Sequence, residues 1–493
     1  MTDVRSRYEE YLEARERELI LYRSGRRAAP ELARIDEDFD DVTSGEGLDE
    51  LTRALAAASF ESTRDRLRRL RNAVQDAFLA SRLRELELGL WERERRQSAR
   101  VGSREARVRE WEAAIAEEAE ASRRTGTQLA LDRAWSELNP LREELFGARG
   151  ELLAGLGYAS PRAWAEARRP KLDYEMWREF ATRLLAATES VYRDGLPRAL
   201  AAIGVAPETA HRGDVARIER LSDYDALFPA AKLAATLDFT LEGMAIRMGQ
   251  LPGLSIDRAE RVGKQLAAFC AAPRPPHEVF LVAWPRPGVP AYAGFLHEAG
   301  RALGYLFTSP ELPVERRSGA DAALEEAWGA LLSSRLADPE WIAMGPPAAR
   351  AESYAPDIRL RRCAMLRRCA AMVRFELELA SLEGEADPGS LAALYQAELE
   401  EATGCRWGPE GYLIAAGSTL ASVDRLRGWC LEAQLSELLR ERFGRRFWRE
   451  RAAGALLKEL WNTGATYSAE EIASELGLGT LAIDPLIETC LHL

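Results

Sequence analysis

Several features that mark common classes of protein are missing from this sequence of 493 residues. No run of about 18 uncharged apolar residues occurs, so no transmembrane helix is expected. The first residues are charged and lack the apolar core of a signal peptide, which predicts a cytoplasmic protein. The six cysteines are scattered without a Cys-x-x-Cys pair. That spacing favours buried free thiols in a reducing compartment over a zinc ribbon or a redox motif.

An excess of basic charge is missing as well. The formal net charge is -12, from 67 lysines and arginines against 79 acidic residues. Because a nucleic-acid-binding domain usually carries a basic face, no nucleic acid is expected as a partner. The chain is 47% hydrophobic and 30% charged, which is typical of a folded globular protein.

Helical periodicity is abundant. Apolar residues spaced by three and four, such as Val108, Trp111 and Ile115, predict amphipathic helices with one buried stripe. We predict helices over about 2–24, from about 62, 173–201, 223–272, 292–306, 321–336, a long one after 356, and two or three within 391–460. The fold class is therefore predicted to be mainly α.

One short segment predicts β structure. The run Val279–Trp284 is apolar, contains β-branched residues and is bounded by prolines, as in a strand. We expect a small sheet there within an otherwise helical protein. The predicted organisation is an N-terminal helical lobe over residues 1–203 and a second domain over residues 204–493 with the small sheet and the C-terminal helices.

The residues that indicate chemistry follow this strand. A zinc peptidase with the motif His-Glu-x-x-His places two imidazoles on one helix face, and the glutamate acts as general base on metal-bound water. Here His297 and Glu298 are present, but Arg301 stands where the second histidine is needed. Glu325, or its neighbour Glu326, is the candidate third ligand on the next predicted helix.

The surrounding sequence resembles the thimet oligopeptidase and oligoendopeptidase F family of zinc peptidases, and most of all its bacterial oligoendopeptidase-like branch. Leu296–Ala302 is similar to the family's Leu-His-Glu-x-Gly-His-Ala, and Leu324–Ala327 to its segment with the third-ligand glutamate, which favours Glu325. Leu426–Trp429 and Glu432–Leu435 are similar to a late helix of the family. The resemblance covers about 268–493.

The resemblance implies a helical zincin-like clamshell with a small sheet next to the active-site helix. It also implies a deep channel that admits short peptides, and zinc as the cofactor where the site is functional. The segment before the zinc helix, from Ala268 to Trp284, is similar to the family's strand at that place.

The sequence departs from the family in two places. A guanidinium stays charged at any working pH and has no lone pair for zinc, so Arg301 cannot replace a histidine ligand. The family also uses late tyrosines, or a histidine and a tyrosine, to stabilise the tetrahedral intermediate. Residues 419–427 contain no tyrosine, and the spacing of Tyr412 does not suit that role. The other histidines lie outside any ligand-spaced motif: His211, His277 and His492.

We therefore expect an inactive, metallopeptidase-like protein that binds short peptides or a protein partner and holds no metal. In this hypothesis Arg301 replaces the metal electrostatically between Glu298 and Glu325; the alternative for Arg301 is a rotated helix that exposes it. Two other functions stay open. One is a zinc oligopeptidase in which His297, Glu325, Glu326 and water hold the metal and Glu298 is the base. The other is a purely structural helical protein.

Overall fold

The computed structural model describes residues 2–319, 321–344, 351–382, 387–414 and 420–491. Helices dominate it, with small sheets, which confirms the predicted fold class. The helices and strands in chain order are α1 Thr2–Arg23, α2 Leu32–Asp38, α3 Asp40–Thr43, α4 Glu46–Ala57, α5 Glu61–Arg96, β1 Ser98–Val101, β2 Arg104–Arg107, α6 Val108–Ile115, α7 Ala121–Gly155, α8 Pro161–Arg168, α9 Tyr174–Ala202, α10 Arg212–Arg220, α11 Leu233–Glu242, β3 Leu254–Asp257, β4 Phe269–Arg274, β5 Glu278–Val282, α12 Val289–Leu306, α13 Val314–Arg317, α14 Ala322–Ser333, α15 Pro339–Met344, α16 Ala351–Ala380, α17 Pro388–Thr403, α18 Ala421–Phe443, α19 Arg451–Asn462, α20 Ala469–Glu475 and α21 Asp484–Leu491.

The chain forms two compact units, each assembled from three stretches of sequence. The first unit comprises residues 1–84, 225–349 and 427–485, and the second comprises residues 85–224, 350–426 and 486–493. Compactness alone does not define a functional domain. The division into a lobe over residues 1–203 and a domain over residues 204–493 therefore stays a prediction.

The first unit contains the predicted sheet. Strand β5 is its central strand, parallel to β3 and antiparallel to β4. Val279 and Leu281 on β5 are fully buried, because helix α12 packs against both β4 and β5. The strand predicted within Val279–Trp284 is thereby confirmed. The helix α12 that follows it is the one predicted over 292–306.

The helical interpretation of residues 223–272 is wrong for most of that segment. Only α11 forms a regular α-helix there, and it is followed by strands β3 and β4. Both strands are short, and both pair with β5, which comes later in the chain. This non-local pairing overrides the local apolar spacing on which the helix prediction was based.

Helices α12 and α14 pack against each other unusually closely. A Cβ atom added at Gly300 on α12 would lie 2.0 Å from the carbonyl oxygen of Trp328 on α14. A Cβ atom added at Gly329 on α14 would lie 2.5 Å from Cε1 of His297. A glycine on each helix therefore allows the two backbones to approach, and this approach positions the residues of the candidate site.

Among its described residues, the second unit consists mainly of helices, with the hairpin of β1 and β2 and an isolated bridge between His211 and Arg406. Helix α16 packs against α9 and α17, and α6 packs against α7. The predicted stripe of Val108, Trp111 and Ile115 is buried in a cluster with Leu131 and Trp135. The amphipathic pattern thus predicted the correct buried face.

Two further expectations can be compared with the structure. All six cysteines are free and buried, as predicted. None of the helices in the described part of the chain combines the length and the apolar character needed to cross a bilayer.

Candidate active site

Two helices of the first unit hold the residues identified from the sequence. His297, Glu298 and Arg301 lie on α12, directly after the sheet, and Glu325 and Glu326 lie in the first turns of α14. The N-terminus of α14 is fixed by Asp321, whose carboxylate accepts a hydrogen bond from the amide of Ala323 at 3.3 Å. The close packing of the helices brings the two sets of side chains together.

Arg301 joins the two helices through its guanidinium. Its Nη1 donates to Oε2 of Glu298 at 2.8 Å, one helical turn away, and its Nη2 donates to Oε2 of Glu325. The Arg301 side chain is 25% exposed, so this helix has not turned Arg301 out to the solvent. Burial disfavours the charge, but the carboxylates of Glu325 and Glu298 outweigh it and hold the pKa of Arg301 well above its ordinary value.

His297 lies on the other side of this cluster, against Glu326 rather than Glu325. Its Nε2 is 3.8 Å from Oε2 of Glu326, and both side chains are about a quarter exposed, at 22% and 25%. The structure therefore divides the two acidic neighbours on α14: Glu325 pairs with Arg301, and Glu326 faces the histidine.

Two residues that the sequence reasoning missed complete the contacts of the carboxylates. The hydroxyl of Tyr305 donates to Oε1 of Glu325 at 2.5 Å, and the backbone amide of Cys270 on β4 donates to Oε2 of Glu298 at 2.8 Å. Burial, followed by the nearby Glu325 carboxylate, raises the pKa of Tyr305. Tyr305 lies four residues after Arg301 on the same helix face, so helical spacing could have identified it. The contact of Cys270 depends on the sheet and has no local signal.

Helix α1 brings two more charged groups near the same cluster. Burial raises the pKa of Glu16, on which Glu325 and Arg301 act electrostatically. Burial lowers the pKa of Arg23, on which Glu16 and Glu298 act in the opposite direction. The Arg23 guanidinium also lies over the ring of Phe269 on β4, 4.1 Å from its centroid. The candidate site is therefore a network of alternating charges rather than a single ion pair.

The late helix α18, where the family would have its tyrosine, instead contacts the N-terminus of α14 through Arg427. Arg427 donates to both oxygens of Asp321, at 2.8 and 2.6 Å, and to both oxygens of Glu470, at 2.8 and 2.7 Å. Tyr412 lies in the second unit, where its hydroxyl donates to Glu143 at 2.6 Å. Thr419 and His492 lie outside the described residues.

The zinc that the resemblance implies can be compared with this arrangement. A zinc site uses three or four side chains from His, Cys, Asp and Glu. Over the described residues, no group of three such side chains is placed to hold a metal ion. The positive guanidinium of Arg301 contacts both Glu298 and Glu325, and it would repel a divalent cation placed between them. In this arrangement the residues do not fit a zinc ion.

Comparison with known proteins finds similarity in structure but not in sequence. Metallocarboxypeptidase 1 of Trypanosoma cruzi is 13% identical, with a TM-score of 0.62 and an alignment that covers 100% of both chains. The Apo-Mg form of the Pyrococcus furiosus carboxypeptidase is also 13% identical, with a TM-score of 0.59 and coverage of 99% of this chain and 98% of that chain. No family model and no curated protein matches the sequence.

These similarities extend over essentially the whole chain, and they show that the protein has a metallopeptidase-like fold. At such low identity they show the fold alone and not the activity. The closer resemblance to the oligoendopeptidase F family, and the roles of the five site residues, stay predictions.

Proposed function

We propose that this protein is a pseudopeptidase, which binds short peptides on a metallopeptidase-like fold without hydrolysing them. The observation that carries the proposal is the position of Arg301, whose guanidinium bonds to Glu298 and to Glu325. In the family that the sequence resembles, these two glutamates are the general base and a metal ligand. Here a fixed positive charge of the protein occupies the space between them.

Hydrolysis by a zinc peptidase depends on the metal, which activates water and polarises the peptide carbonyl. Arg301 supplies positive charge but has no lone pair or open coordination position with which to bind and activate water in that way. The oxygen Oε2 of Glu298 already accepts two hydrogen bonds, from Arg301 and from the amide of Cys270. The expected base is thus engaged in the structural network, and this supports loss of the reaction.

Peptide binding is supported by two kinds of similarity. The sequence resembles peptidases that act on short peptides, and the two solved structures described above are named carboxypeptidases. Binding a peptide does not require the metal, because main-chain hydrogen bonds and side-chain contacts can supply the affinity. Loss of one histidine can therefore abolish catalysis and leave recognition in place.

A quenched library of short peptides tests the proposal. We expect saturable binding by the purified wild-type protein and no cleavage, with or without added zinc. The variant Glu298→Gln is expected to bind peptides like wild type, as is the exposed control variant Glu311→Gln in the same unit.

Two outcomes would contradict the proposal. Cleavage that is abolished by a chelator and by Glu298→Gln, but not by Glu311→Gln, would establish a zinc oligopeptidase with an altered ligand set. The absence of both cleavage and binding would favour a purely structural helical protein.

A further inference from the structure

The second unit contains a cavity that plays no part in the proposed function. Its volume is 280 Å³, and described residues of α5, α7, α8 and α16 contribute to its wall. Most of the lining is apolar and includes Leu90, Trp91, Phe146 and Leu379. Pockets that bind small molecules have volumes of about 300 to 1,000 Å³, so this cavity suits a small ligand with one ring or a short aliphatic chain.

Four of the charged residues in the wall are neutralised in pairs. Nη2 of Arg142 donates to Glu94 at 2.9 Å, and Nη2 of Arg149 donates to Glu87 at 3.5 Å. Both pairs join α5 to α7. These pairs hold the two helices at the cavity and leave no net charge from this side of the wall.

The remaining charged residue, Glu376 on α16, is different. It is 4% exposed, and its two oxygens accept hydrogen bonds from the amide of Ser422 at 2.8 Å and from the hydroxyl of Ser422 at 2.7 Å. Across the described residues it forms no ion pair, although a buried carboxylate usually has a cationic partner. Burial raises the pKa of Glu376 to about 7.

We infer that this cavity binds a small organic amine, with its apolar body among Leu90, Trp91, Phe146 and Leu379 and its ammonium group against the carboxylate of Glu376. The ammonium would provide the direct ion pair that Glu376 does not form with the described residues, among which Arg425 acts on it electrostatically without a hydrogen bond. A carboxylate ligand would be repelled, and a neutral ligand would leave the buried carboxylate without a counter-charge. The inference concerns the second unit and does not depend on the peptide-binding proposal for the protein.

Calorimetric titration with three probes of one shape tests the charge requirement. The probes are 2-phenylethylamine, neutral 2-phenylethanol and anionic 3-phenylpropionate. At pH 8 we expect the amine to bind about tenfold or more tightly than the alcohol, because a hydrogen bond to a charged group is worth more than a neutral one. The anion is expected not to bind.

The pH dependence of the binding affinity provides a second test. The charged groups around Glu376 are Asp424 and Arg425 on α18 and, in the cavity wall, Glu87, Glu94, Arg142 and Arg149. An alkylammonium stays protonated to about pH 9. Since the carboxyl of Glu376 ionises near pH 7, we expect affinity for the amine to rise between pH 6 and pH 8 and affinity for the alcohol to stay constant.

Three variants complete the experiment. In Glu376→Gln the amide oxygen can still accept from the Ser422 amide, and the amide nitrogen can donate to the Ser422 hydroxyl oxygen. This variant is expected to remove both the preference for the amine and its pH dependence. Glu378→Gln is the matched control, since it lies on the same helix, has a side chain that is 50% exposed and does not line the cavity. Ala380→Leu projects methyl groups into the cavity and is expected to weaken binding of the amine and the alcohol alike.

Equal binding of amine and alcohol by wild type, or no binding of the amine at all, would overturn the inference. So would a preference for the amine that survives in Glu376→Gln. Thermal unfolding of each variant shows whether it is folded; if Glu376→Gln is not, the probe series on wild type and Ala380→Leu decides.

Discussion

Two arginines of the first unit each bind two carboxylates and contact helix α14 or its N-cap, but they differ in burial and in the number of hydrogen bonds that they donate. Arg427 has a side chain that is only 2% exposed, and it donates four hydrogen bonds, two to Asp321 and two to Glu470. Arg301 has a side chain that is 25% exposed, and it donates one hydrogen bond to each of Glu298 and Glu325.

The different burial and hydrogen bonding of the two arginines indicate different roles: Arg427 fixes geometry, and Arg301 mainly supplies charge. Two-pronged bonds from a fully buried guanidinium fix the directions of both carboxylates, and no other side chain reproduces that geometry. Single bonds from a partly exposed guanidinium mainly neutralise the two carboxylates. Arg427 thus holds the N-terminus of α14 in place, whereas Arg301 supplies charge at a position where a metal ligand stands in the family that the sequence resembles.

Removal of Arg427 is expected to have the largest effect. Arg427→Met removes a buried guanidinium and leaves Asp321 and Glu470, whose side chains are 12% and 34% exposed, without their shared counter-charge. We expect this to cost about 3 to 5 kcal/mol of the free energy of unfolding, because the cation of the pair is buried and four hydrogen bonds are lost. Urea unfolding followed by circular dichroism measures it. The control is Arg446→Met in the same unit, whose side chain is 56% exposed and for which we expect a loss of about 0.5 kcal/mol or less. Similar losses for both variants would contradict the claim that Arg427 holds the N-terminus of α14 in place.

The second prediction concerns the close approach of α12 and α14, on which the Arg301 network depends. Gly300→Ala would place a Cβ 2.0 Å from a backbone oxygen of α14, so the helices must separate, at a cost of about 3 kcal/mol. Gly294 on the same helix is the control, because a Cβ atom added there would lie 4.0 Å from Cβ of Ala268, which is an ordinary contact. Gly294→Ala is expected to raise the free energy of unfolding by about 0.5 to 1 kcal/mol through helix propensity. Unfolding curves of the two variants decide; equal stability would mean that the helices are not held at this distance.

The third and smallest expected loss follows from removing Arg301. Arg301→Met leaves Glu298 and Glu325 without their shared cation, but the site is partly exposed and solvent screens part of the repulsion. We expect a loss of about 1 to 2 kcal/mol in the same urea titration. A loss equal to that of Arg427→Met would abolish the distinction between the two arginines.

Much of this arrangement could be predicted from the sequence because it depends on local spacing. The intervals from His297 to Arg301 and within Leu324–Ala327 are helical, so their residues share a face whatever surrounds them. Short strands are harder to predict from local spacing: β3 and β4 form by pairing with β5, which is why the helix predicted over 223–272 fails from residue 254 onward.

The missed contacts of the site also have physical causes. The amide of Cys270 reaches Glu298 only because β4 packs under α12, and Glu16 and Arg23 come from the other end of the sequence. The assignment of Glu326 to His297 and of Glu325 to Arg301 depends on the rotation of α14. Gly329 on α14 leaves room for the His297 ring, since a Cβ atom there would lie 2.5 Å from its Cε1, and the spacing of the acidic residues alone does not predict this packing.

Metal content tests the central claim most directly. Wild-type protein and Arg301→His are dialysed against zinc and then analysed for bound metal and for cleavage of short peptides. We predict less than stoichiometric zinc in wild type, a gain of zinc affinity in Arg301→His, and little turnover by either, because the late tyrosines are also absent. One tightly bound zinc per wild-type chain would contradict the claim that Arg301 has replaced the metal, and robust turnover by Arg301→His would show that the late tyrosines are not needed.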